Sequence, residues 1–184
     1  MAKVSGSRKY WGSDLFEPAW PGTRPALEIQ SAALPYRVTA GGDVEFLLVT
    51  TRRQGRWGLP KGSIPCTLSM AESAAREAYE EAGVIGEPAP LSCTSYRKIK
   101  RRPGGGKMQV EVWVYPLLVT KMLRSWPEQG QRLLKWCGAS DAAALLGEAD
   151  FGLAIRRLCR DVLAVLPGNP RPLGAQTDRH RQLR

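Results

Sequence analysis

The segment from Ser69 to Gly83 constrains the fold of this chain most strongly, because it carries complete start and stop signals for a helix. Glu72 follows Ser69 at the spacing of a capping box, which places Ser69 at the N-cap. Residues 70–82 contain neither Gly nor Pro and are rich in Ala and Glu, which favour helices. Gly83 supplies the C-terminal stop. The sequence therefore predicts a helix over residues 70–82.

Alanines and glutamates lie on two different faces of this predicted helix. The alanines at helical spacing, which predict close packing against a sheet, are Ala71, Ala74, Ala75, Ala78 and Ala82. Glu77, Glu80 and Glu81 share another face, where like charges destabilise a helix and Arg76 is placed to offset part of this by pairing with Glu80. Three clustered carboxylates are the oxygen ligands that Mg²⁺ or Mn²⁺ prefers. Taken alone, the pattern leaves a solvated acidic face open as the alternative.

The residues around this helix resemble the Nudix box, G-x5-E-x7-R-E-U-x-E-E-x-G-U, in which U is apolar. The matching positions are Gly62, Arg76, Glu77, Ala78, Glu80, Glu81, Gly83 and Val84. Leu68 stands where the pattern has its first Glu, and Glu72 is a candidate to replace it. The resemblance implies an α+β fold of the Nudix type, an α/β/α sandwich with a mixed central sheet. Periodicity alone indicates only an α+β fold with a mixed or antiparallel sheet.

The resemblance implies an enzyme that hydrolyses a diphosphate linkage with the help of Mg²⁺ or Mn²⁺. The metal ligands it implies are Glu77, Glu80 and Glu81, and Arg76 is expected to hold one of these carboxylates in place. The general base is left open between Glu80, Glu81 and a residue outside the box. Leu68 supports an alternative of a different class, a Nudix module that binds a ligand without hydrolysing it.

The net charge of +10 is concentrated in two stretches without acidic residues, 52–61 and 97–107. Such stretches beside a carboxylate site favour a highly anionic small molecule as substrate. The pI near 9.8 also allows RNA, which is the less favoured partner. The predicted substrate-binding residues are Arg52, Arg53, Arg56, Lys61, Gly62, Arg101, Arg102 and Lys107.

The flanks of the box resemble one branch of the family more than others. They are R-W-x-x-P-K-G before the box, and a basic hairpin, S-W-P-E and L-L-K-W-C after it. This pattern is most similar to enzymes acting on diphosphoinositol polyphosphates, and enzymes acting on dinucleoside polyphosphates are the close second. Enzymes that trim RNA 5′ ends are the third candidate. A homodimer is the oligomeric state that the resemblance suggests.

The chain is predicted to hold one domain with tails. Residues 1–24 are predicted to form a partly disordered N-terminal arm, 25–166 the Nudix hydrolase domain, and 167–184 a basic disordered tail. The four cysteines show no C-x-x-C pairing and no zinc spacing, and no apolar run reaches the ~20 residues that span a bilayer. We therefore predict a cytoplasmic protein without membrane contact. His180, the single histidine, lies in the tail, so histidine catalysis is not expected.

Outside the box, alternation of apolar residues predicts strands over residues 31–39, 44–51, 92–100, 108–120 and 131–137. Residues 84–91 carry Pro and Gly and predict a linker. Ser140 is predicted to cap a short helix, and residues 148–165 are predicted to form a longer amphipathic helix.

Overall fold

A computed structural model describes residues 27–101, 106–147 and 149–165, except for the side chains of 149 and 150. The elements in chain order are β1 Leu27–Val38, β2 Val44–Thr50, β3 Trp57–Gly58, β4 Lys61–Ser63, α1 Met70–Ala82, β5 Val84–Pro88, β6 Thr94–Arg101, β7 Lys107–Met122, β8 Leu134–Gly138, α2 Ala139–Leu146 and α3 Ala149–Val165. The predicted arm and tail lie outside these ranges.

The described strands form one mixed sheet. β1 lies parallel to β7 and antiparallel to β2 at one end and to β4 at the other. β2 also pairs with β3 and β8, while β7 also pairs with β5 and β6, all antiparallel. β1 pairs with β4 through residues 30–32 and with β2 through residues 36–38, so β4 and β2 lie at different positions along the same edge of β1.

Alternate residues of the central strands enter two separate cores, because successive side chains of a strand point to opposite faces. On one face, Leu47 and Leu117 pack with α1. On the other, Phe46 and Val112 pack with α2 and α3, whose Phe151 and Ile155 are buried. Helices therefore cover both faces of the sheet, which confirms the predicted α/β/α sandwich.

The box helix α1 has the predicted ends. The Ser69 hydroxyl accepts a hydrogen bond from the Glu72 N–H, and the Glu72 carboxylate accepts one from the Ser69 N–H at 2.8 Å. Gly83 adopts the left-handed conformation at φ 65° and ends the helix. Ala78 and its neighbours on the alanine stripe, Ala74 and Ala82, are fully buried against the sheet. Both the predicted capping box and the predicted packing face are confirmed.

Two local predictions were wrong. Residues 84–88, predicted as part of a linker, form the strand β5, because the long strand β7 offers a pairing edge from Leu117 to Met122. Gly86 suits this strand, since a Cβ there would overlap the carbonyl of Leu118. Gly138, not Ser140, occupies the N-cap of α2 and provides no side-chain cap.

Candidate metal and phosphate site

The last two turns of α1 lie against β4 and bring two of the box carboxylates together. A Cβ at Gly62 would overlap the Glu77 carboxylate, so the glycine at this position allows the strand and the carboxylate to approach each other. The backbone N–H of Lys61 donates a hydrogen bond to Oε2 of Glu81 at 3.3 Å. Glu77 and Glu81 are therefore placed side by side along β4.

Glu81 is buried, with 6% of its surface exposed, and forms an ion pair with Arg132. The Arg132 guanidinium also donates to the carbonyl oxygen of Thr50 and to the Glu128 carboxylate, each at 3.0 Å. One buried cation thus connects α1, the end of β2 and the loop before β8. Arg132 was not among the predicted site residues, because it lies 51 residues from Glu81 and belongs to no box position.

Glu80 points to a different partner. Its carboxylate accepts a hydrogen bond from Nε of Arg76 at 2.7 Å, in a partly exposed pair at i, i+4 spacing. Arg76 is therefore placed against a box carboxylate, as the resemblance implied. Within the described ranges, no three Asp, Glu, His or Cys side chains converge closely enough to hold an ion as they stand.

The electrostatics of this region nevertheless suit a cation. Burial, followed by the neighbouring carboxylates of Glu81 and Glu80, raises the pKa of Glu77 to about 7. Burial also raises the pKa of Glu81, although Arg132 and Lys61 act in the opposite direction. The last turn of α1 contains no basic residue, and the negative end of a helix dipole disfavours carboxylates. The hard carboxylate oxygens of Glu77 and Glu81 fit Mg²⁺ or Mn²⁺ and would hold it, with Glu80 as a further candidate ligand.

Glu81 and Arg132 also line a cleft of about 510 Å³, here called the basic cleft. Its other lining residues are Gln30, Thr51, Arg52, Arg53, Gln54, Lys61, Lys98 and Lys100. Burial is the largest influence that lowers the pKa of Lys61, whose ammonium lies near Glu81, Arg132 and Lys100. The structure therefore places a strongly cationic surface directly beside a box carboxylate.

A second cleft of about 470 Å³, here called the aromatic cleft, adjoins the first and shares Thr51, Gln54, Lys61, Lys98 and Lys100 with it. Its remaining lining residues are Arg56, Trp57, Gly58, Leu59, Tyr96, Ile99, Leu146 and Phe151. Tyr96 and Phe151 meet edge to face with ring centroids 5.0 Å apart. The two clefts together offer a cationic end and an apolar, aromatic end.

Of the predicted substrate-binding residues, Arg52, Arg53 and Lys61 line the basic cleft, and Arg56 lines the aromatic cleft. Gly62 lies next to the site and contacts Glu77. Arg101 and Lys107 pair across the β6–β7 hairpin and line neither cleft, and Arg102 lies outside the described residues.

Lys98 and Lys100 line both clefts and were not among the predicted site residues. They lie on the same face of β6 as Tyr96, because alternate residues of a strand share a face. Strand alternation places Lys98 and Lys100 on the face opposite to Arg101.

The position of the missing box glutamate is half-buried. Leu68 lies in the turn before α1 and donates its N–H to the carbonyl of Pro65 at 3.1 Å. The Glu72 carboxylate is committed to the N-cap, where it accepts hydrogen bonds from the N–H of Ser69 at 2.8 Å and from its hydroxyl at 2.7 Å. Glu72 is therefore directed away from the carboxylates near the other end of α1, and this geometry speaks against Glu72 as the replacement for the missing glutamate.

Comparison with known proteins agrees with this architecture. A family model described as the NUDIX domain matches residues 31–157. Nudix hydrolase 21, chloroplastic, from Arabidopsis thaliana is 36% identical over 115 residues, which cover 61% of this chain and 56% of that protein. Nudix hydrolase 17, mitochondrial, from the same plant is 30% identical over 115 residues, covering 59% of this chain and 61% of the relative. The chain thus spans a little more than half the length of these relatives.

Solved structures share the fold at low sequence identity. The C. elegans Ap4A hydrolase binary complex aligns with a TM-score of 0.53 and 22% identity, covering 73% of this chain and 97% of that one. A MutT protein from Methanosarcina mazei aligns with a TM-score of 0.53 and 20% identity, covering 76% and 98%. Identities this low support the fold alone.

No helix among the described residues is long and apolar enough to cross a bilayer. The names of both plant relatives refer to organelles, so the cytoplasmic location stays a prediction, as does the homodimer.

Proposed function

This chain belongs to the NUDIX family, and on that premise we propose that it is a metal-dependent hydrolase of a diphosphate linkage in a highly phosphorylated small molecule. One observation carries the proposal: Glu81, a carboxylate of the box helix, also lines the basic cleft. Metal-binding oxygens and phosphate-binding cations thereby face one space. Hydrolysis of a phosphate anhydride needs both the metal and the cations, because the phosphate groups must be positioned and their negative charge must be neutralised.

In this proposal the side chains of Glu77, Glu80 and Glu81 hold the metal. A bound Mg²⁺ or Mn²⁺ would supply neutralisation of the charge on the phosphate oxygens and orientation of the attacking water. Arg76 keeps Glu80 close to the site through the 2.7 Å hydrogen bond. Gly62 leaves room for the Glu77 carboxylate against β4.

The cations of the basic cleft bind the phosphates of the substrate in this proposal. Arg52 and Arg53 are exposed at its rim, while Lys61 is more deeply placed and adjoins Glu81. Guanidinium groups bind phosphate as bidentate forks and ammonium groups bind it as point charges. Several such groups around one cleft favour a substrate with many phosphates, and a diphosphoinositol polyphosphate fits this requirement.

A dinucleoside polyphosphate is the second candidate, and the aromatic cleft is the observation that favours it. Trp57 is half-buried in the core and also lines this cleft, together with Tyr96 and Phe151. The partly exposed rings of Trp57 and Tyr96 provide stacking surfaces for a base, and Lys98 and Lys100, which line the same cleft, provide charges for the phosphates.

Two alternatives of other classes follow from the same features. A binding module without hydrolysis would explain Leu68 in place of the first box glutamate. An RNA-binding or RNA 5′-end hydrolase would use the same cations, and its affinity for RNA would fall steeply with salt. The packed carboxylates of Glu77 and Glu81 argue against a pure binding module, since their mutual repulsion is unfavourable without a cation.

Turnover of a substrate panel with Mg²⁺ tests the proposal. The panel holds an inositol pyrophosphate, diadenosine polyphosphates, ADP-ribose, a nucleoside triphosphate and 5′-triphosphate RNA. Glu80→Gln should lower the rate at least 10²-fold. Glu87→Gln, an exposed carboxylate change on β5, is the matched control and should leave the rate unchanged. Mg²⁺ binding without turnover of any member would favour the binding module.

A further inference from the structure

Arg132 is an unusual residue to find inside this domain, because its side chain is only 7% exposed. A buried guanidinium is strongly unfavourable unless its charge and its N–H groups are satisfied. Arg132 meets this need with three acceptors on separate segments, namely Glu81 on α1, Glu128 in the loop before β8, and the carbonyl of Thr50. The sequence separations from Glu81 and Thr50 are 51 and 82 residues. Arg132 is thus a junction between the box helix and the sheet.

Glu128 also contacts two other parts of the site, the box helix and the basic cleft. Its backbone N–H donates to the carbonyl of Glu80 at 3.0 Å, which attaches the loop to the last turns of α1. Its carboxylate lies 3.4 Å from Arg52, which lines the basic cleft. A continuous series of polar contacts therefore runs from the cleft to Glu81, through Arg52, Glu128 and Arg132.

We propose that Arg132 is a positioning residue, which holds the Glu81 carboxylate in the orientation that binds the metal and, through Glu128, aligns that end of α1 with the basic cleft. The proposal rests on the function proposed above. Arg132 takes one lone pair of Oε1 and the Lys61 N–H takes one of Oε2, so each carboxylate oxygen keeps a second lone pair for a cation.

Removing Arg132 has two opposing effects on the affinity of the site for a metal ion. The positive charge of Arg132 repels a metal ion at Glu81, so its removal by itself would tighten metal binding. Its hydrogen bonds also fix the Glu81 side chain, which would otherwise sample several rotamers. Outer partners of metal ligands usually act in the second way, and their removal weakens metal affinity or activity by about 10- to 100-fold. We expect the second effect to dominate here, since the pairing fixes Glu81 in a buried setting.

The test measures Mn²⁺ affinity by electron paramagnetic resonance of the free ion, without substrate. In Arg132→Met, the Kd for Mn²⁺ should rise about 10- to 100-fold, and Arg132→Lys should fall between this variant and the wild type. With a substrate from the panel, kcat should fall in the same order. Arg37→Met is the matched control: Arg37 pairs with Glu45 at 2.7 Å and covers the Trp136 ring, and its loss should leave the Kd unchanged.

Folding defects are separated from positioning by a second variant. Glu128→Gln leaves the Glu81 pair in place, replaces a charged acceptor of Arg132 with a neutral one, and should raise the Kd about threefold to tenfold. An unchanged or lower Kd in folded Arg132→Lys and Glu128→Gln would overturn the proposal, as would a wild type that binds no Mn²⁺. If the wild type binds Mn²⁺ and the variants bind it less well, yet no panel substrate is turned over, the proposed function fails and the positioning role stands.

Discussion

Gly62 lies so close to the Glu77 carboxylate that a methyl group on its Cα would overlap the carboxylate oxygens. Gly62 is not one of the described glycines that have a positive φ, so its backbone conformation does not require glycine. The requirement is steric: the strand β4 and the end of α1 approach each other at this point. The predicted role of Gly62 in phosphate binding stays a prediction, and its contact with Glu77 supplies a separate reason for glycine at this position.

Gly62→Ala should displace the Glu77 side chain from β4 and weaken metal binding by about tenfold, the lower end of the range for disturbed metal ligation. Stability should change by only about 1 kcal/mol, because the colliding group is the end of a flexible side chain. Mn²⁺ titration together with urea unfolding checks both statements. Gly58→Ala is the matched control, since its Cβ would lie 4.0 Å from Nζ of Lys61. Equal Mn²⁺ affinity in the two variants would contradict the steric role.

Glu77→Gln should stabilise the metal-free protein at high pH. The folded-state pKa of Glu77 is raised to about 7 from 4.5, so its favourable contribution is complete below pH 4.5 and is lost as the pH rises to 7. Glu77→Gln cannot ionise at this position, so its free energy of unfolding should exceed that of the wild type by about 1–3 kcal/mol at pH 8. Thermal unfolding with a chelator at pH 5 and pH 8 measures the difference. A gain of the same size at both pH values would show that ionisation of Glu77 is not the cause.

Lys100→Ala should raise KM for a polyphosphate substrate about tenfold, as expected for the loss of one charge-assisted contact. Lys100 lines both clefts, and its neighbour Arg101 lines neither. Arg101→Ala removes an equal charge from the next residue of β6 and should change KM less than about twofold. Steady-state kinetics at one fixed ionic strength compares the pair. The reverse ranking would place the phosphates at the end of the hairpin, as the sequence analysis predicted for Arg101.

Ala78→Leu should destabilise the fold by about 1–3 kcal/mol, because added methylene groups have no space in a close-packed interface. Ala78 is fully buried between α1 and the sheet. Tyr79→Leu changes the next residue, which is 41% exposed, and should stay within about 0.5 kcal/mol of the wild type. Urea unfolding monitored by circular dichroism gives both values. A Leu at position 78 without any loss of stability would mean that α1 packs loosely.

Local signals in the sequence predicted much of this fold. The limits of α1 followed from Ser69, Glu72 and Gly83, because capping depends on residues within one turn of the helix end. Alternation predicted the strand β7, and its successive residues Val112 and Trp113 lie in opposite cores. β5 was missed because its five residues form a strand only where β7 offers an edge to pair with.

In the candidate site, too, some features follow from local sequence and others from tertiary packing. The sequence by itself determined that Glu77, Glu80 and Glu81 occupy neighbouring positions of one helix, because helical spacing follows from local geometry. Only the tertiary structure decided that Glu81 pairs with Arg132, and that Lys98 and Lys100 face the cleft. Such choices depend on chain segments that meet only after the sheet and its helices have packed. Arg132 lies 51 residues from Glu81, and no periodicity or local motif joins positions so far apart.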